Sequence, residues 1–409
     1  MAMTADALRE APVFSMRTAT GDGDCMPEML DARRTAPVVR VPFAGRQAWV
    51  VCEPALARTA LIDTRLSKDV RLIPDWMRVP GSMLGSQPPP ENGVAMVMSE
   101  GEEHARIRRA HAESFSPRHT QTWQQHVRDV VATLLDRLTA HDGAETVNLV
   151  DTFAYPLPIT FFSEMLGLPP EIQPTMRRIT EEIIFHSDMA VRQTAVPALY
   201  GTIAACLEER SKLGPGLIGD IISHVDGDGR TVTPAEAIIW TVGLVIAGWE
   251  STASLISSAL YEALRRPVAE RPTTEEEVAA WVEETLRVHP PFLSATWRFA
   301  TEDVELGGYL LPEGAPVLVN LASANRAPAE TPEDFDPAGA GRGHISFGLG
   351  HHFCLGAPLA RLEARVAVQA FLEAFPKAQL GDVGLTWQSE WLTRRLSVLP
   401  VHLKGKGGS

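Results

Sequence analysis

Apolar residues recur at helical spacing through most of this chain and alternate with polar ones in only a few short runs. Residues 38–43 and 48–52 are rich in β-branched and aromatic side chains and are joined through Ala44 and Gly45, which predicts a hairpin. Residues 303–311 and 316–321 suggest another strand pair, and 395–403 a late strand. The clearest helix starts at Thr233-Pro234-Ala235-Glu236, where a capping box coincides with proline at the first helical position. It ends at Arg265-Arg266-Pro267, basic residues followed by a breaker. About 32 residues at roughly 1.5 Å each make a rod of about 48 Å, long enough to cross the whole molecule.

Inside that helix an apolar stretch meets Glu250. An acid there is expensive to bury unless it has a partner or a task. Ala247 and Gly248 are small and leave room for a ligand against the backbone, while Ser251 and Thr252 bring hydroxyls next to the carboxylate. An acid beside a hydroxyl can relay protons. A kinked helix with a satisfied core glutamate is the structural alternative. A second cluster lies near the C-terminus, in the run from His344 through Phe347, Gly348, Gly350, His352 and Cys354 to Gly356. Cys354 sits in a glycine-rich loop just ahead of a helical pattern, where the dipole and free N–H groups favour a thiolate. Gly348, Gly350 and Gly356 let the backbone turn sharply beside a flat partner.

With 409 residues, 45% of them hydrophobic, the chain can bury a large core, and no linker or repeat divides it. One domain over residues 1–409 is expected, with about the first 30 residues as an extension outside the packed fold. The net charge of −14 argues against nucleic acid as a partner. Four scattered cysteines indicate a reducing compartment. His351 and His352 have no second Cys/His pair at zinc spacing. The N-terminus lacks the basic and apolar regions of a signal peptide, and the apolar run 237–249 is too short to span a bilayer. A cytoplasmic protein with no membrane partner is expected.

The loop around Cys354 resembles the haem-binding motif of the cytochrome P450 family, Phe-Gly-x-Gly-x-His-x-Cys-x-Gly, with every fixed position present. The resemblance implies a mainly α fold with a smaller β region and a long central helix over the haem. It implies haem b (iron protoporphyrin IX) as cofactor and Cys354 as its metal ligand, with Phe347, Gly348 and Gly356 shaping the loop. A thiolate on haem iron favours O–O cleavage. The Ala247–Thr252 segment is similar to the family's oxygen-activation motif, placing Glu250 on the acid position and Ser251 where threonine is usual. Serine keeps the hydroxyl but loses the methyl that restricts its rotamer, and Thr252 is the neighbouring substitute. By the same resemblance His104, Arg108, Arg298 and His352 hold the propionates. Glu284 and Arg287 form the Glu-x-x-Arg motif, with Asp334 standing where many relatives carry its third member and Arg342 as the compensating candidate. Gly243, Ile246, Ala247, Leu293, Ser294 and Trp391 line the substrate pocket, together with the loop 72–98. Arg106, Arg108, Arg109, Arg361 and Arg365 suggest a basic patch for an acidic electron carrier.

The implied activity is monooxygenation: one atom of dioxygen enters a bulky, moderately hydrophobic small molecule, as in natural-product biosynthesis. Electrons come from a ferredoxin and a ferredoxin reductase, since no flavin or nicotinamide region is visible. Three other outcomes stand beside hydroxylation. One is ring closure or C–C or C–N coupling by the same oxidant, and one is peroxygenation. The third, from a different class, is a haem sensor or electron carrier, which would not need the Glu250–Ser251 pair.

Overall fold

Thr233 Oγ1 accepts from the Glu236 amide, and Glu236 Oε2 accepts from the Thr233 amide. This reciprocal cap starts the central helix, Pro234–Leu264, 31 residues long and mostly buried. Helices Pro156–Leu166, Met189–Glu208, Glu275–Val288 and Ala357–Ala374 all pack on it. Among the described residues it is the one helix long and apolar enough to cross a membrane, and 61% of its apolar window is buried in protein. The computed structural model describes residues 9–15, 23–82, 84–85, 87, 89–140, 146–209, 213–227, 229–326, 335–339, 341, 343–382 and 384–404.

The helix Glu275–Val288 begins with the same kind of box, from Thr274 and Glu277. Near its end Arg287 grips Glu284 through two bonds of 2.8 and 2.7 Å, and both side chains are buried. Glu284 Oε1 also accepts from the Asp336 amide at 2.8 Å, tying the helix to the segment ahead of the cysteine loop. Asp334 and Arg342 lie outside the described residues.

The β structure is smaller. Its main sheet has five strands in the order Val38–Phe43, Arg46–Val51, Pro316–Asn320, Ser294–Ala300, Leu66–Ser67. Ala44 and Gly45 both take positive φ, which closes the first hairpin tightly. Residues 303–311 and 316–321 do not pair with each other. Val304–Leu306 folds back on Tyr309–Leu311 as a separate hairpin, while Pro316–Asn320 joins the main sheet. Two glycines, Gly307 and Gly308, with φ of 61° and 82°, permit that early reversal. The late strand is likewise two, Arg394–Val398 and Pro400–His402, each paired to a different partner.

The N-terminal region is not a loose extension where it is described. Met26–Thr35 is a helix, and Cys25, Met26 and Met29 share a small buried cluster with Leu293 and Ala322. The Cys25 amide donates to Ser389 Oγ at 2.7 Å, and the Ser389 amide to Gly23 O at 2.9 Å. Asp24 holds Arg394 in a two-bond pair of 2.8 and 2.7 Å. Arg394 continues inward to His289 Nδ1 at 3.1 Å, and His289 Nε2 meets Glu262 Oε1 at 2.6 Å. The guanidinium can only donate, so Nδ1 is an acceptor and His289 is the neutral tautomer with its proton on Nε2.

Candidate active site

The cysteine loop owes its shape to Gly348 and Gly350, with φ of 73° and 72°. A Cβ at Gly350 would stand 3.1 Å from Ile62 Cγ2, so the loop also lies tightly on its neighbour. The Cys354 amide donates to Phe347 O at 2.8 Å, closing the loop, and Gly356 caps the helix Ala357–Ala374. Phe347 lies under the Arg361 guanidinium, 4.4 Å from its ring centre. Cys354 is the exposed one of the four cysteines, but it opens inside the molecule rather than on its outer surface. Burial therefore pushes its thiol pKa up, opposed by the Gly356 and Ala357 amides and by Arg108 and Arg361.

Beyond the first turn of the central helix the exposed position is Ala247, with Gly243, Ile246 and Ser251 half-buried on the neighbouring turns. Ser251 stands four residues on from Ala247 and donates to its carbonyl at 2.8 Å. Thr252 turns away: its hydroxyl bonds Gly248 O at 2.9 Å and the residue is 3% exposed. Gly248 has a different use from the one its sequence context suggests. A Cβ there would come within 2.7 Å of the Phe162 ring, so its smallness serves helix packing and only Ala247 leaves open space. Trp249 fills the core against Phe162 and donates to Thr180 Oγ1 at 3.2 Å. Glu250 is buried and accepts from Arg395 at 3.0 Å.

The four residues expected at the propionates converge. The His104 and His352 rings meet at a 56° tilt with centroids 4.3 Å apart, and Arg108 donates to Phe353 O at 2.9 Å. Arg298 is buried and among the described residues reaches only carbonyl oxygens, at 3.3 and 3.4 Å. Two further members escape sequence reasoning. Lys68 is buried with its ammonium donating to Thr296 Oγ1. Burial, then the nearby Arg298, lowers its pKa well below the ordinary lysine value. Glu100 accepts from His351 at 2.8 Å, His352 at 3.1 Å and the Lys68 amide at 2.8 Å. Burial raises the Glu100 pKa, but these bonds outweigh it and bring it to about 2. Glu100, His351 and His352 thus gather three metal-capable atoms, although Lys68, Arg108 and Arg298 around them disfavour a dication. Among the described ion pairs neither Lys68 nor Arg298 appears; Glu100 is the one carboxylate that acts on both, and its bonds go to His351, His352 and the Lys68 amide, so the two buried side chains fit a group that brings further carboxylates. The donor set suits haem.

The pocket wall differs from expectation in three places. Leu293 and Ser294 are fully buried, Leu293 in the N-terminal cluster, and Trp391 packs against Phe43 at 5.8 Å. A register shift between Ala295 and Arg298 breaks the strand's alternation, and Ala295 and Thr296 are the partly exposed residues instead. Arg106 also leaves the proposed basic patch. It is buried between Asp226 and Glu236 at 2.5 and 2.6 Å. A cleft of about 580 Å³ opens between Pro80, Gly81 and Gly85 of the 72–98 loop and Gln193, Val196 and Tyr200 of the helix above. None of those residues belongs to the cysteine loop.

The family description Cytochrome P450 matches residues 276–382, which include both the Glu284–Arg287 helix and the cysteine loop. The monooxygenase PikC of Streptomyces venezuelae is 36% identical, over 91% of this chain and 89% of its own. The chain belongs to the cytochrome P450 family. As a cytochrome P450 monooxygenase it takes a haem-thiolate cofactor, an organic substrate, dioxygen and a source of electrons. The 6-deoxyerythronolide B hydroxylase of Saccharopolyspora erythraea is 34% identical over 92% of this cytochrome P450 and 95% of its own length. CYP154C4 from Streptomyces sp. W2061 superposes with a TM-score of 0.86 at 27% identity, covering 98% of this chain and all of that one, 100%.

Proposed function

We propose that this cytochrome P450 binds haem b through Cys354 and hydroxylates a bulky, moderately hydrophobic secondary metabolite. The observation that carries the reading is one exposed, amide-flanked thiol in the same interior as buried Lys68 and Arg298, which form no ion pair among the described residues. Haem on a thiolate supplies the oxidant when bound, by accepting electrons and activating dioxygen. The Gly356 and Ala357 amides favour the charged form of Cys354 against the cost of burial. Lys68, His104, Arg108, Arg298 and His352 hold the propionates, with Phe347, Gly348 and Gly356 shaping the cysteine side.

One oxygen atom enters the substrate and the other leaves as water, which consumes two protons. Ser251 delivers them at Oγ, after exchanging its bond to Ala247 O for one toward the reacting oxygen, and Glu250 refills it. Gly243, Ile246, Ala247, Ala295 and Thr296 line the substrate side, and their mainly apolar character selects bulk and hydrophobicity over charge. The hydroxylase activity in the name of one close relative supports hydroxylation as the outcome. Electrons come from a ferredoxin that its reductase has reduced; the ferredoxin docks at exposed Arg109 and Arg365, next in sequence to Arg108 and four residues on from Arg361, the two arginines that act on Cys354. The first test is the spectrum of the reduced protein under carbon monoxide. A red-shifted Soret band is expected, whereas a globin-like band in intact protein would overturn Cys354 as ligand.

A further inference from the structure

Glu250 is 4% exposed, and only one of its carboxylate oxygens is satisfied: Arg395 donates to Oε1 at 3.0 Å, while Oε2 has no partner among the described residues. The Tyr155 hydroxyl, on a residue 1% exposed, also has none. Buried polar atoms rarely stay dry, and a carboxylate oxygen wants a donor while a phenol is one. The two side chains are neighbours. Burial first, then the Glu250 carboxylate, keeps the Tyr155 phenol protonated far above its ordinary range.

The backbone presents Tyr155 for this. Residues Val150–Ala154 form a π-helical turn, closed by the Tyr155 amide on Val150 O at 2.9 Å, just before the helix Pro156–Leu166. Such turns recur at functional sites because the extra residue re-aims the side chains that follow. The Arg177 guanidinium caps the Tyr155 ring at 4.5 Å and pairs with half-exposed Asp151 at 2.5 Å. Arg395 reaches Glu181 at 3.4 Å, and Glu181 reaches Arg177 at 3.5 Å. The groups facing Glu250 and Tyr155 are thus Arg395 from the late strand, Thr180, Glu181 and Arg177 from the helix Gln173–Phe185, and Asp151 from the π turn.

We infer that Tyr155 is a positioning residue for Glu250: its hydroxyl donates to Oε2, fixing the carboxylate that refills Ser251. The inference rests on the proton-relay reading for its consequence, but its geometry is tested without it. In infrared difference spectra of the haem-loaded, substrate-free protein at neutral pH, the carboxylate band lost in Glu250→Gln belongs to Glu250. In Tyr155→Phe, which keeps the ring under Arg177, that band should shift in frequency, because a donor to the carboxylate is gone. An unchanged band frequency overturns the inference. The relay is read separately, as peroxide released per electron consumed. If Glu250→Gln leaves that yield unchanged, the relay fails while the Tyr155 contact stands or falls on the infrared result alone. Where both hold, Tyr155→Phe should raise peroxide several-fold in the native background and not at all in Glu250→Gln.

Discussion

At the residue scale, the two adjacent hydroxyls of the central helix give the sharpest test. Ser251 shares a face with exposed Ala247, whereas Thr252 bonds inward to Gly248. Ser251→Ala should therefore divert electrons to peroxide and lower product per electron several-fold, with haem content unchanged, while Thr252→Ala should keep coupling. The assay is product, peroxide and electron consumption together, on a substrate found by its shift of the haem spin state. Lys68→Met removes a charged donor worth about 1.5–3 kcal/mol, so haem should leave roughly 10- to 100-fold faster in transfer to apomyoglobin. Gly248→Ala should lower stability by about 1–3 kcal/mol through its clash with Phe162, measured by denaturant unfolding. Cys354 and Ser251 were legible because their neighbours along the chain form a motif. Lys68 and Glu100 were not, since what makes them informative is contact with Thr296 and with His351 and His352, more than 200 positions away. The packing role of Gly248 is hidden for the same reason, since it depends on Phe162, 86 positions earlier in the chain.

At the scale of elements, capping chemistry was the most dependable signal. Thr233 with Glu236 marks a helix start wherever the rest of the fold lies, because the cap closes within four residues. Strands were less legible, since pairing is decided by distant partners. Nothing local tells residues 316–320 to join Arg46–Val51 in parallel instead of the hairpin next door. The pocket wall was hidden in the same way: distant residues bury Leu293 in the N-terminal cluster, and the register shift after Ala295 leaves Ala295 and Thr296 partly exposed side by side. One element should fail sharply. Glu284→Gln breaks the buried Glu284–Arg287 pair, a change that costs about 3–5 kcal/mol. Loss of haem from the cysteine loop before global unfolding is expected, because the Asp336 amide loses its anionic anchor as well. Soret absorbance and helical circular dichroism, followed in parallel on heating, report the two events separately.

The molecule as a whole is closed by the polar chain from Asp24 through Arg394 and His289 to Glu262. Burial, countered by Glu262, lowers the His289 pKa to about 4. The folded protein therefore binds that proton less readily than the unfolded chain. This contribution to stability is complete above pH of about 6.5 and disappears as the pH falls toward 4. Burial raises the Glu262 pKa, but His289 and Arg266 hold it at about 2, so its contribution is lost only below about 4.5. The melting temperature should be level at neutral pH and decline in two stages on acidification, the first smaller in His289→Phe but not abolished, because burial lowers the His111 pKa to about 4 as well. The same chain of contacts bears on how the protein is made. Cys25 and Ser389 are 364 positions apart, so at about 5–20 residues per second a ribosome needs roughly 20–70 s between the two. For that interval Cys25, Met26 and Met29 have no C-terminal wall to close over them. Nascent chains should then be open to thiol labelling at Cys25 until the last strand emerges, a period of vulnerability set by the speed of translation and not by the strength of the finished fold.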